Sequence, residues 1–158
     1  MRALPSLAAV LFAAVLLLCA GLAPAARAEV LPTDAERLVI DTAGGPVRFS
    51  VELALTPDTR ATGLMFRREM AADHGMLFRF DQTRQVLMWM KNTPLPLDMV
   101  FIGEDGRVAG IAADTTPFSE DIVASPRPVR YVLELNAGTA ARLGIAVGDR
   151  VRHRAILD

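Results

Sequence analysis

The hydrophobic positions of this chain fall into short runs and alternations separated by turn residues. The clearest alternation spans residues 47–55. Val47, Phe49, Val51, Leu53 and Leu55 share one face, and Arg48, Ser50 and Glu52 share the other, which predicts a half-buried strand. Leu38-Val39-Ile40 centres a strand just before it, and Ala43-Gly44-Gly45-Pro46 turns the two into a hairpin. Thr56-Pro57-Asp58 reads as a helix start, with a capping hydroxyl, a proline at the first helical position and an acid near the positive end of the dipole. Gly63 ends that helix after about two turns. Further strands are predicted over residues 75–80, around Trp89, and over 98–102, 107–112, 129–135 and 150–157, with a second short helix over 137–143 ended by Gly144. Residues 115–128 carry Pro117, Pro126 and Pro128 and read as a long surface loop, of a length often functional or mobile. About eight short strands and two short helices leave no room for long crossover helices. The fold class is mainly β, a compact β-sandwich or a partly open barrel.

Residues 86–102 hold the only Trp, Trp89, and the only Lys, Lys91, between two apolar runs broken by Asn92, Pro94 and Pro96. The residues before proline avoid the helical region, and the prolines donate no ladder hydrogen bond, so this bridge is extended without being a central strand throughout.

Composition changes the picture at the N-terminus. Met1-Arg2, an apolar run over residues 7–21, and the small-residue exit Ala26-Arg27-Ala28 predict a cleavable secretory leader over residues 1–28. The run is short for a membrane span, so no stable anchor is expected after cleavage. Residues 29–35 are expected as a flexible tail, and residues 36–158 as a single domain. Without the leader the basic count drops by Arg2 and Arg27, from 17 to 15, against 18 acids, a net charge of −3. That balance argues against nucleic acid as a partner. The single Cys leaves with the leader, so no disulfide is expected, and the localisation implied is periplasmic or secreted.

Five ordered motifs carry a family resemblance: Gly63-Leu64-Met65-Phe66-Arg67; Gly75-Met76-Leu77-Phe78 with Phe80; Trp89-Met90-Lys91-Asn92-Thr93 continuing through Pro96-Leu97-Asp98 to Phe101; Tyr131-Val132-Leu133-Glu134-Leu135 with Ala137-Gly138; and Gly144-Ile145 with Gly148-Asp149. Together they resemble the uncharacterised prokaryotic domain-of-unknown-function family DUF192, over about residues 37–157. Met88 departs from the aromatic residue the family leads one to expect before Trp89. The resemblance implies a compact β-rich domain, often exported, and brings no reaction, ligand or catalytic residue with it.

The candidate ligand-binding residues are therefore read from the chain itself: Lys91, Asn92, Asp98, Glu134, Arg67 and Trp89. A carboxyl in apolar company has its pKa raised unless a cation or several N–H groups meet it, so Asp98 or Glu134 could act as acid or base beside Lys91, with Lys91 or Arg67 holding an anion. The competing structural reading comes first: a buried ion pair, or carboxyls bonded to backbone. Trp89 could stack a ligand, but its apolar neighbours favour a core position. Met65, Met76, Met88 and Met90 allow a weaker copper reading, since thioethers suit Cu(I), against the commoner use of Met as core filler. His74 and His153 are isolated, which leaves zinc without ligands, and no cofactor or metal site is assigned. The leading expectation is a periplasmic binding or accessory module for a small molecule, a peptide or an envelope protein. The alternative is a hydrolase- or lyase-type enzyme using Asp98 or Glu134.

Overall fold

The computed structural model describes residues 28–156. The predicted leader, residues 1–28, lies outside the described residues apart from Ala28. Nine strands and two short helices are found among the described residues: β1 (Leu38–Thr42), β2 (Gly45–Ala54), α1 (Pro57–Thr62), β3 (His74–Arg84), β4 (Leu87–Met88), β5 (Leu97–Ile102), β6 (Val108–Thr115), β7 (Val123–Ala124), β8 (Val129–Asn136), α2 (Thr139–Leu143) and β9 (Arg150–Arg152). Seven strands form one sheet in the order β6-β5-β8-β3-β2-β1-β9, and β4 and β7 form a separate ribbon.

The sheet curls until its outer strands approach each other. Arg107, just ahead of β6, bridges Arg150 of β9. The Val108 and Val151 amides donate to the Asp149 and Gly106 carbonyls at 2.9 and 2.8 Å. The molecule is therefore mainly β, a partly open half-barrel rather than a sandwich. The hairpins β1–β2 and β5–β6 are antiparallel, as predicted. The parallel pairing of β2 with β3 is not visible in the pattern; the chain crosses over through α1 to make it.

Strand alternation divides the apolar side chains between two clusters on the two faces of this sheet. One holds Phe49, Val51, Leu77, Val100, Tyr131, Leu133 and Leu135, closed by Ala140, Val151 and Ile156. The other holds Ala54, Met76, Phe78, Phe80, Met99, Phe101 and Val132, covered by Leu64, Val86 and Met90. Tight packing across the sheet explains Gly75: a methyl group there would stand 2.6 Å from the Glu134 carbonyl and 2.8 Å from Leu135.

Several local expectations need correction. Residues 29–35 are not a loose tail. The Leu31 amide donates to Glu52 at 2.8 Å, Thr33 bridges Glu52, and the Asp34 amide donates to the Val51 carbonyl at 2.7 Å. This strap covers the polar face of β2, so Glu52 is buried rather than facing water. The strand predicted around Trp89 shrinks to Leu87–Met88, and the loop 115–128 contributes β7, which pairs with it. β9 ends at Arg152.

Candidate ligand-binding site

The central strands carry a rank of side chains on their second face. In register, Glu52 of β2 stands beside Met76 of β3, Met76 beside Glu134 of β8, and Glu134 beside Met99 of β5. Two acids thus sit two strands apart, roughly 10 Å by ordinary strand spacing, and their surroundings differ.

Glu52 is fully engaged. Arg67 grips it with two nitrogens at 2.5 and 2.6 Å, and His74 Nε2 lies 3.0 Å from the same carboxyl. Burial pushes the Glu52 carboxyl up, but the hydrogen bonds from Arg67 and His74 outweigh it and hold the group below its ordinary value. Arg67 also donates to the Glu29 carbonyl from Nε and Nη2, at 3.1 and 2.6 Å. Its valences go to the strap and to Glu52.

Glu134 has no such company. It is 4% exposed, and among the described residues nothing hydrogen-bonds its carboxyl. Burial raises its pKa to about 8, against a weaker downward pull from the Arg67 charge. At neutral pH it is a carboxylic acid with a proton to donate.

Glu134 lines a cavity of about 360 Å³ on this face. Phe78 and Phe80 project from β3 into it. One wall is α1 with Gly63, Leu64 and Met65; the other is Leu87, Met88, Trp89, Lys91 and Thr93. Local chemistry sets each wall. Thr56 accepts from the Thr59 amide at 3.2 Å, and Thr59 Oγ1 accepts from the Thr56 amide at 3.0 Å, closing a capping box at the start of α1. Arg60 pins the helix to the sheet by donating to the Leu55 and Arg79 carbonyls at 2.8 and 2.9 Å. The two walls are tied where Phe66 and Asn92, both left-handed with φ of 63° and 56°, face each other: the Phe66 amide donates to the Asn92 carbonyl at 2.8 Å. A bulky residue such as Phe66 holds that backbone at a cost of order 1–3 kcal/mol, so the junction is over-determined by its surroundings. Behind the second wall, the Met90 and Phe118 amides donate to the Ser119 and Thr93 carbonyls at 2.9 and 3.1 Å. The loop 115–128 buttresses the wall rather than lining the cavity.

Cations stand over the aromatic rings. Lys91 Nζ lies 5.2 Å from the Trp89 ring, and the Arg60 and Arg84 guanidiniums lie 5.5 and 5.1 Å from the Phe80 ring. Trp89 is 44% exposed, which corrects the expectation of a core tryptophan.

Of the six residues singled out by sequence, the fold brings Lys91, Trp89 and Glu134 into this cavity. Asn92 supports it through its backbone. Arg67 sits behind it with Glu52. Asp98 lies elsewhere. It is buried on the opposite face of β5, where its carboxyl accepts from the Asp114, Gly138 and Ala140 amides at 3.0, 3.1 and 2.8 Å. It organises the turn into α2, away from the cavity. The expected Lys91–Asp98 pair does not form: Lys91 lies 3.6 Å from Glu120 instead. Phe78, Phe80, Arg60, Arg84 and Glu52 were not anticipated as site or near-site residues. Only strand alternation, extended to both faces of the central strands, carries a signal for the two phenylalanines.

The pattern of the DUF192 family, described as an uncharacterized ACR, matches residues 38–153. The chain belongs to that family. A crystal structure from Sinorhizobium meliloti 1021, described as a candidate transcription regulator, is similar at 54% identity and a TM-score of 0.76, covering 82% of this chain and 99% of that one. A protein of unknown function from Novosphingobium aromaticivorans DSM 12444 is similar at 39% identity and a TM-score of 0.74, covering 82% and 94%. No curated protein matches the chain. Family membership thus supports the shared fold and names no ligand.

Proposed function

We propose that this protein is a small-molecule binding module whose site is the cavity above Glu134. The observation that carries the reading is a buried carboxylic acid with no hydrogen bond from the described residues, on a cavity walled by Phe78, Phe80 and Trp89. Among the described residues only Arg130 Nε is a fully buried polar side-chain atom without a partner, so the Glu134 oxygens reach the cavity, where a ligand offering an acceptor takes the place of water. The apolar run over residues 7–21 with its small-residue exit supports action outside the cytoplasm, in the periplasm or beyond it.

The test pairs stability with binding. Glu134→Leu removes an acid whose ionisation the fold disfavours, so its urea midpoint at neutral pH is expected to rise. Saturable responses to small organic ligands, read by Trp89 fluorescence and by melting temperature, are expected to vanish. A residue kept for folding alone would give the reverse: lower stability and unchanged ligand responses. A ligand at ~100 times its dissociation constant adds ~2.7 kcal/mol, well within reach of a melting experiment.

A second reading, acid catalysis, draws on the same raised pKa, because a carboxylic acid that keeps its proton near neutrality suits proton donation. Lys91 lines the same cavity and would hold an anionic group. In that reading Glu134→Gln retains ligand affinity and loses turnover.

A further inference from the structure

The cavity has a definite polarity from floor to rim. The floor presents Glu134 as a neutral donor. The middle is walled by Phe78, Phe80, Trp89, Leu64 and Met65. The remaining charged side chains of the lining are all basic: Arg60, Arg84 and Lys91. They differ in freedom. Arg60 spends its donors on two carbonyls and on Asp81 at 3.1 Å. Among the described residues Arg84 donates only to the neighbouring Gln85 carbonyl, at 3.1 Å. Lys91 is 40% exposed, and its partner Glu120 is 64% exposed at 3.6 Å, a loose pair that a better anion displaces. The stacking of Lys91 on Trp89 and of Arg84 on Phe80 sets these two charges at the edges of the aromatic walls.

We propose that the natural ligand of this cavity is an amphipathic anion. Its uncharged hydrogen-bond acceptor points inward to Glu134, its ring or compact apolar body lies between Phe78, Phe80 and Trp89, and its carboxylate points outward to Lys91 and Arg84. This inference rests on the binding reading above and adds the sign and placement of the ligand's charge. A cationic ligand passes three basic side chains, Arg60, Arg84 and Lys91, before it reaches the one acid of the lining, and a wholly apolar one leaves that acid unmet. The ligand's anion is matched by free donors only at the rim.

The test uses three probes of one shape: 4-acetylbenzoate, 4-acetylbenzamide and 4-acetylbenzylamine. Each carries the ketone acceptor and the ring, and they differ in outer charge. Trp89 is the only tryptophan and lines the cavity, so its quenching reports occupancy directly. The benzoate is expected to bind roughly tenfold tighter than the benzamide, the scale of one charge-assisted hydrogen bond, and the benzylamine more weakly than either. The preference should shrink with added salt. Lys91→Met combined with Arg84→Met should bring the benzoate down to the benzamide, with Lys91→Met alone in between, and Glu120→Gln, which frees Lys91, should tighten the benzoate alone. Equal binding by all three, or a preference for the amine, overturns the anion assignment and leaves the cavity as a binding site. Absence of saturable quenching by any of the three at millimolar concentration overturns the binding reading itself.

Discussion

Asp98 and Glu134 are both buried acids on neighbouring strands, and what separates them is the supply of N–H donors. Asp98 meets three backbone amides, and Glu134 meets none of the described groups. Asp98→Asn keeps the shape and removes acceptor capacity, turning one oxygen into an NH₂ that faces donors. The urea midpoint is expected to fall by the equivalent of about 1–3 kcal/mol for each amide left unmet, with ligand affinity unchanged. A stable variant with lost affinity would move the site to Asp98. Glu134 makes a prediction about pH. Its folded pKa of about 8 exceeds the ordinary 4.5, so between those values the folded protein holds a proton that the unfolded chain has released. The stability tied to this residue is full below pH 4.5 and is lost as pH rises through 8, by roughly 5 kcal/mol in all. Glu134→Gln is neutral at every pH. Melting curves across this window should show wild type losing stability relative to the variant; parallel profiles would contradict the raised pKa.

At the scale of elements, the N-terminal strap, β2 and the segment after α1 are held together by one buried charge pair. Arg67 joins Glu52 to the Glu29 carbonyl, and Glu52 in turn takes the Leu31 amide. Arg67→Met leaves Glu52 buried without its cation, which costs about 3–5 kcal/mol. The readouts are a lowered denaturation midpoint and faster hydrogen exchange at Leu31. An unchanged Leu31 exchange rate would show that the strap is held by other contacts. Because Arg67 alone pulls the Glu134 pKa down, the same substitution should raise that pKa further. The elements most legible in the sequence are those with local causes. Thr56-Pro57-Asp58 caps a helix by its own side chains, and the alternation of β2 and the composition of β3 and β5 mark strands. The ribbon of β4 and β7 escapes such reading. Two residues each are too few for a period, and they pair across a proline-rich loop that looks structureless alone.

For the whole molecule, closure of the half-barrel rests on few bonds between the ends of β6 and β9, reinforced by Val151, Ala155 and Ile156 in the first core. A chain ending at Val147 loses those bonds and that cover. It is expected to bind hydrophobic dyes and to unfold without a cooperative transition; a sharp transition would show that the remaining strands suffice. The primary structure alone dictated the β-rich class, the first helix and its cap, most strand positions and the family, because each follows from side chains near in sequence or from ordered motifs. It also marked Lys91, Trp89 and Glu134 as candidates. Tertiary structure decided where each of them sits and what surrounds it. Whether a carboxyl is met by amides, by a guanidinium or by nothing depends on strands and straps far away along the chain. That is why Asp98 became a turn organiser, Glu52 a buried partner of Arg67, and Glu134 the acid at the foot of a cavity.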